Sequence, residues 1–244
     1  MSSWLRDWAA LMRVANWPTV MANVVGGVAV AASFHVSGPI PVAAILDAAF
    51  MLVVGMLAIY AGAMVANDAI DAPVDRVERP DRPIASGRVS HRRGLIAAIG
   101  LGLAGIGTLT VFTDLRVVLT GAAVCLASWA YNLFHTRSRV FTVLPAACRG
   151  GVVAASGMAA GATLSGMPAF WAYVAAVIAA VVGLSLYARH EVQRGRVPRV
   201  ALMLGLLPLI DAAACLLVAE GAAAGCCVVL AAVSIVGQRI QPGT

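Results

Sequence analysis

Eight stretches of the chain, near residues 17–34, 40–66, 94–112, 117–135, 141–162, 168–188, 200–219 and 221–237, are long apolar runs. Each is close to the roughly 20 residues that a helix needs to cross a bilayer. In hydrocarbon a spanning segment must satisfy its own backbone hydrogen bonds, and a helix does so within itself. The pattern therefore predicts an all-α integral membrane protein with about eight transmembrane helices. Gly38-Pro39, Gly166-Met167-Pro168 and Glu220-Gly221 fall where these runs stop. Composition agrees: the chain is 61% hydrophobic and only 11% charged, against about half and a quarter for a soluble domain.

Residues 4–15 read differently. Trp4, Trp8, Leu11 and Met12 recur at helical spacing, while Arg6 and Arg13 share another face. This predicts an interfacial amphipathic helix over residues 1–15 of a single transmembrane domain, 1–244. A cleavable signal peptide ending near VAVAAS is the rival, and Asp7 and the many later spans count against it. Under the eight-span topology, 15 of the 17 arginines fall on one side, with both termini. The positive-inside rule makes that side cytoplasmic, in an inner-membrane, multi-pass protein. The net charge of +6 is explained by these loops facing an anionic membrane surface, and nucleic acid is not an expected partner. The five cysteines lie in apolar runs without C-x-x-C, and the four histidines are scattered. Neither a disulfide framework nor a zinc site is expected.

The charges are most concentrated in ANDAIDAPVDRVERPDRPIASGRVSHRR, Ala66 to Arg93, which holds five of eleven acids and six of seventeen arginines. Asn67, Asp71 and Asp75 are spaced i, i+4, i+8, on one face if the helix continues, and Asp68 adjoins them. Carboxylates so close repel one another unless a cation lies between them. Hard oxygen donors suit Mg²⁺, which commonly bridges one or two carboxylates to substrate phosphates. Arginines around such an ion supply bidentate partners for phosphate oxygens. The stretch reads as a magnesium-diphosphate site at a membrane mouth. A solvated loop whose acids offset neighbouring arginines is the plainer account, and the N-D-x-x-D-x-x-x-D spacing favours the site.

NDAIDAPVD resembles the first aspartate-rich motif, NDxxDxxxD, of the UbiA superfamily of intramembrane prenyltransferases. RPDRPIASGRVS is similar to the continuation R-P-x-R-P-I-x-S-G-R-[IV]-S common there. YNLF (131–134) and ACRGG (147–151) resemble segments of the small EboC-like branch. The resemblance implies a helical bundle around a central cavity, where an isoprenoid diphosphate of the farnesyl or geranylgeranyl class binds through Mg²⁺. It also implies a lateral opening for the lipid tail. It makes Asp68, Asp71 and Asp75 the catalytic carboxylates and, with Asn67 and Glu191, the metal ligands. Arg82, Tyr131, Arg137, Arg149, Arg189 and Arg194 are then the diphosphate-binding candidates.

Three features depart from that pattern. Relatives commonly have nine spans, and eight are counted here. Their second motif is usually DxxxD-like, whereas YARHEVQRGR (187–196) has Glu191 as its one carboxylate. Relatives carry Tyr followed four residues later by Lys. Tyr131 fits, His135 takes the Lys position, and Arg137 is preferred for its permanent charge. Pro73 inside the first motif is expected to end or kink the helix and to turn Asp75 away from ideal geometry.

Charges inside spans tend to be functional. Arg149 is read as reaching the diphosphate or pairing with Asp211. Asp211 is either that partner or a cavity-lining group. Asn23 is a cavity donor or a helix–helix hydrogen bond, and Asp47 is interfacial. Three functions follow from these readings: transfer of a prenyl group to an unidentified acceptor, a UbiA-type terpene cyclase without an acceptor, or a non-enzymatic export accessory.

Overall fold

The computed structural model describes residues 3–35, 41–135, 143–163, 166–192 and 197–240. In these residues the apolar runs are helices, in chain order. A short helix α1 (Ser3–Leu11) and a single 3₁₀ turn (Val14–Asn16) lead into α2 (Trp17–Ala32). The chain continues through α3 (Val42–Ile70), α4 (Ala72–Glu78), α5 (His91–Phe112), α6 (Leu115–Phe134) and α7 (Leu144–Ala159). It ends with α8 (Pro168–Val192), α9 (Val197–Leu206), α10 (Pro208–Leu217) and α11 (Gly221–Ile240). Among the described residues, seven segments are long and apolar enough to cross a membrane. One of them, Val200–Leu217, is built from α9 and α10 together. The eighth expected pass is α7, which at 16 residues is about 24 Å long. The chain is thus an integral, multi-pass membrane protein of helices.

α2 is the axis of the bundle. Thirteen of its 16 residues are buried, nearly all of them Val, Ala and Gly. Small side chains let four neighbours, α3, α7, α10 and α11, pack closely around it. α5 and α6 stand at the periphery. They turn Ile96, Ile99, Leu103, Leu119 and Leu126 outward, as a lipid-facing surface requires. α3 and α5 approach closely at Gly105, where a Cβ would lie 2.6 Å from the Gly55 carbonyl oxygen.

Two breaks shape the site. Pro73 does interrupt the helix: α3 stops at Ile70 and α4 begins at Ala72, with Asp71 between them. The break is a bend rather than a reversal, because Asp71 N donates to Asn67 O and Asp75 N to Asp71 O, both at 2.9 Å. The second break is at Leu207, because Pro208 has no N–H to continue the ladder from α9 into α10.

The leader differs from its reading in one respect. Trp8, Leu11 and Met12 pack on Val65, Ala69, Ala72 and Ile84, while Trp4 is exposed. Arg13, however, is not on the outer face of that helix. It follows α1 in a left-handed conformation, φ 48°, which redirects its side chain inward. All five cysteines are free thiols, and Asp47 is exposed.

Candidate functional site

The loop from Arg79 to Ser90 carries the first candidate side chain, Arg82. Pro80 and Pro83 flank Arg82 and fix the backbone on either side of it. Ile84 plugs the loop into the α1–α3–α5 cluster, and Ser86 N donates to Arg82 O at 2.9 Å. Arg88 ties the loop to α1 through Asp7, at 2.9 Å. So anchored, Arg82 reaches back over the end of α3. Its Nη1 lies 3.2 Å from Asp68 Oδ1 and 2.7 Å from Asp75 Oδ2. Arg13 Nη2 adds a second guanidinium, 3.3 Å from Asp68 Oδ1 and 3.1 Å from Asn67 Oδ1. Asp68 and Asp75 are both buried, and buried charges persist only when paired.

In the structure a guanidinium, that of Arg82, lies between Asp68 and Asp75. Asp75, beyond the Pro73 break, shares Arg82 with Asp68. Asp71 is the more open carboxylate, about a quarter exposed. Its Oδ2 accepts from Asn67 Nδ2 at 3.0 Å, and its Oδ1 stands 4.0 Å from His135 Nε2. Burial raises the Asp71 carboxyl above its ordinary value, and the neighbouring His135 acts against that shift.

Among the described residues no three metal-binding side chains converge as a preformed cluster. The donor set still fits a hard divalent cation by its chemistry. Asn67, Asp68, Asp71 and Asp75 present oxygen donors within two turns of one bent helix, and two of these carboxylates already hold a cationic partner.

Beside the aspartates lies a cavity of about 250 Å³. Arg13 belongs to both, since it touches Asp68 and also lines the cavity with Tyr60, Tyr131, Asn132 and Arg149. The aspartates themselves are not among its walls. Tyr131 stacks on His135, with ring centroids 5.0 Å apart, which places the tyrosine between the cavity and Asp71. Asn132 Nδ2 donates to Ala63 O at 2.8 Å and locks α6 to α3.

The floor of the cavity is a buried polar chain. Arg149 donates from Nη2 to Thr19 Oγ1 at 2.6 Å and from Nη1 to Asn23 Oδ1 at 3.0 Å, and sits 5.9 Å from the Tyr60 ring centroid. Asn23 Nδ2 in turn donates to both Asp211 oxygens, at 3.0 and 3.1 Å, and Tyr173 Oη donates to Asp211 Oδ1. Arg149 and Asp211 thus neither pair directly nor stand apart: Asn23 relays between them. Gly26 makes room for this arrangement, since a Cβ there would lie 2.6 Å from Tyr173 Oη and 3.1 Å from Asp211 Cβ. Gly26→Val should therefore cost about 1–3 kcal/mol, the range for overpacking, read as earlier thermal unfolding in detergent micelles. Unaltered unfolding would show that the Tyr173–Asp211 contact has room to spare.

The structure brings Asn67, Asp68, Asp71, Asp75, Arg82, Tyr131, Arg149, Asn23 and Asp211 into one continuous region. Arg137 and Arg194 lie outside the described residues, as do the side chains of Arg189 and Glu191, although the latter two fall on α8. Sequence reasoning missed Arg13, Thr19, Tyr60 and Tyr173. A signal existed for Thr19: Asn16, Thr19 and Asn23 form a polar stripe at i, i+3, i+7 on an otherwise apolar helix. No comparable signal marks Arg13, whose role depends on the left-handed turn.

A stretch of 105 residues, 41% of this chain, is 39% identical to digeranylgeranylglyceryl phosphate synthase of Methanopyrus kandleri, spanning 39% of that protein. A stretch of 121 residues, 50% of this chain, is 31% identical to the synthase of the same name from Sulfurisphaera tokodaii, spanning 40% of it. The match thus spans well under half the length of these curated relatives. In fold, a solved digeranylgeranylglyceryl phosphate synthase aligns with TM-score 0.64 at 12% identity over 98% of both chains. A UbiA homolog from Archaeoglobus fulgidus, bound to GPP and Mg²⁺, aligns with TM-score 0.57 at 13% identity over 98% of this chain and 100% of that one. The model of the UbiA prenyltransferase family matches residues 17–240. Because that match runs from the first residue of α2 to the last residue of α11, the chain belongs to the UbiA prenyltransferase family.

Proposed function

We propose that the chain ionises an isoprenoid diphosphate within the membrane and transfers the prenyl group to an acceptor nucleophile. One observation carries this reading. A cluster of aspartates balanced by Arg13 and Arg82 opens, through Arg13 itself, onto a cavity inside an apolar bundle. Asp68, Asp71 and Asp75, with Asn67 and Glu191, are the residues that would hold Mg²⁺. Bound there, the ion supplies charge neutralisation for the diphosphate leaving group.

The chain's own residues do the rest. Arg13 and Arg82 can turn from carboxylates to diphosphate oxygens without leaving the site, and Arg137, Arg189 and Arg194 are further candidates by their place in the sequence. Tyr131 offers a hydroxyl at the cavity wall. When the allylic C–O bond breaks, its electron pair leaves with the diphosphate, and these donors stabilise the growing negative charge. The allylic cation is protected from water by the apolar walls. The acceptor then gives a lone pair to carbon and loses a proton. Arg149 lines the inner part of the cavity with three of its five N–H donors unused by Thr19 and Asn23. It suits a phosphate, either of the diphosphate or of a glyceryl phosphate acceptor such as the relatives' name contains. The arginine-rich loops support a cytoplasmic mouth and cytoplasmic termini, by the positive-inside rule. Proteolytic nicking of the 79–90 loop only in inside-out vesicles would agree, and nicking only in right-side-out vesicles would reverse that orientation.

The test is incubation of the purified protein with Mg²⁺ and farnesyl or geranylgeranyl diphosphate, with and without a glyceryl phosphate lipid or a total membrane extract. Pyrophosphate release that needs both Mg²⁺ and an acceptor is expected. A cyclic hydrocarbon formed without acceptor would replace transfer by cyclisation, and no release under any condition would overturn the reading.

A further inference from the structure

The guanidinium groups of the site are balanced in two different ways. Arg82 and Arg13 touch carboxylates directly, at 2.7 Å on Asp75 and 3.3 Å on Asp68. Arg149, on the cavity wall, instead donates to two neutral oxygens, Thr19 Oγ1 at 2.6 Å and Asn23 Oδ1 at 3.0 Å. Thr19 gives its own hydroxyl proton to Asn16 O at 2.7 Å, so its oxygen is left to accept. The counter-charge, Asp211, stands one amide further back and is not among the cavity walls.

Donor and acceptor identities fix the direction of this chain of contacts. Arginine only donates, so the Asn23 atom that faces it is the carbonyl oxygen. The Asn23 amide nitrogen then faces the other way and needs acceptors. Asp211 supplies both of its oxygens, at 3.0 and 3.1 Å, and Tyr173 Oη donates to Oδ1. Donors on both oxygens, and a place in the first turn of α10, suit an ionised carboxylate. The network is neutral in total, as burial requires, yet its two charges are held apart. An aspartate at position 23 would meet Arg149 directly, whereas asparagine has nearly the same shape and no charge. Coulomb attraction falls with separation, so Arg149 is fixed by hydrogen bonds while its charge is less fully offset.

We infer that Asn23 is a spacer and Asp211 a positioning residue, which together fix Arg149 in the bundle while leaving its charge and its free N–H donors to a phosphate group in the cavity. The inference rests on the proposed function and adds to it the residues that tune the phosphate subsite. A carboxylate placed directly on Arg149 would hold the side chain as firmly, but an incoming phosphate would have to compete with it. The amide removes that competition. The phosphate belongs either to the prenyl diphosphate or to a phosphorylated acceptor, whose chemistry at this point is the same.

Moving the charge without changing the shape tests the inference. In the double variant Asn23→Asp with Asp211→Asn, the carboxylate at 23 accepts from Arg149 and from the amide at 211. The oxygen of that amide accepts from Tyr173, so the net charge and the direction of every contact survive. Equilibrium binding of a prenyl thiodiphosphate with Mg²⁺, and separately of a glyceryl phosphate lipid, is measured for the parent, the double variant and Asp211→Asn alone, beside thermal melts in detergent. The double variant should melt no earlier than the parent, yet bind one or both probes roughly tenfold more weakly, an ordinary scale for coupling between groups. Weakening for the thiodiphosphate puts the phosphate on the prenyl substrate, and weakening for the lipid puts it on the acceptor. Asp211→Asn should do the reverse, melting earlier because Arg149 loses its counter-charge, with binding equal to or tighter than the parent's. A double variant that binds as the parent does would overturn the inference by itself, as would weaker binding by Asp211→Asn. If the parent binds neither probe, the proposed function falls and this inference with it.

Discussion

Asp71→Ala should lower the rate of pyrophosphate release by about 10³-fold, comparable to the loss of a principal charge-stabilising group in other enzymes, while leaving the fold intact. The structure makes Asp71 the informative carboxylate. Asp68 and Asp75 are engaged by guanidinium groups, so removing either also strands an arginine. Among the described residues Asp71 has the Asn67 amide and a distant His135 as side-chain partners, and it is about a quarter exposed. It is the oxygen pair most available to an incoming cation, and truncating it leaves little unpaired. Single-turnover assays with farnesyl diphosphate, alongside a thermal melt, separate the two effects. Turnover within threefold of the parent would remove Asp71 from the metal shell.

Arg82→Ala should act in the opposite way, on stability first. It leaves two buried carboxylates with Arg13, on Asp68, as the one remaining guanidinium partner among the described residues, and breaking a buried charge pair typically costs about 3–5 kcal/mol. Millimolar Mg²⁺ should recover part of that loss, because the ion takes the place the guanidinium has vacated. The double variant Arg82→Leu with Asp75→Leu should be close to the parent in stability, since exchanging a buried pair for apolar residues is often neutral. Unfolding of detergent-solubilised protein with and without Mg²⁺ checks all three. A melt of Arg82→Ala that matches the parent would mean that Arg82 is not what balances Asp68 and Asp75.

The contrast between these variants shows what the sequence makes legible. The spans are readable because apolar runs in hydrocarbon admit little besides helices, and the bend at Asp71 is readable because Pro73 has one backbone consequence. The spacing of Asn67, Asp68, Asp71 and Asp75 announces a cation. It does not say which cation balances them, because Arg13 and Arg82 reach that place only through tertiary structure: a left-handed turn in one case, a loop anchored by Ile84 and Arg88 in the other. The same applies to Arg149 and Asp211. Read along the chain they are either partners or strangers, and the Asn23 relay joins helices 126 and 188 residues apart in sequence.

The central claim is that the aspartate–arginine mouth holds a prenyl diphosphate together with Mg²⁺. Equilibrium binding of a non-hydrolysable prenyl diphosphate analogue, to the parent and to Asp71→Asn, in Mg²⁺ and in EDTA, tests it most directly. Binding to the parent should weaken by about a hundredfold in EDTA, and Asp71→Asn should show most of that weakening even with Mg²⁺ present. Equal affinity in Mg²⁺ and EDTA for both proteins would contradict it.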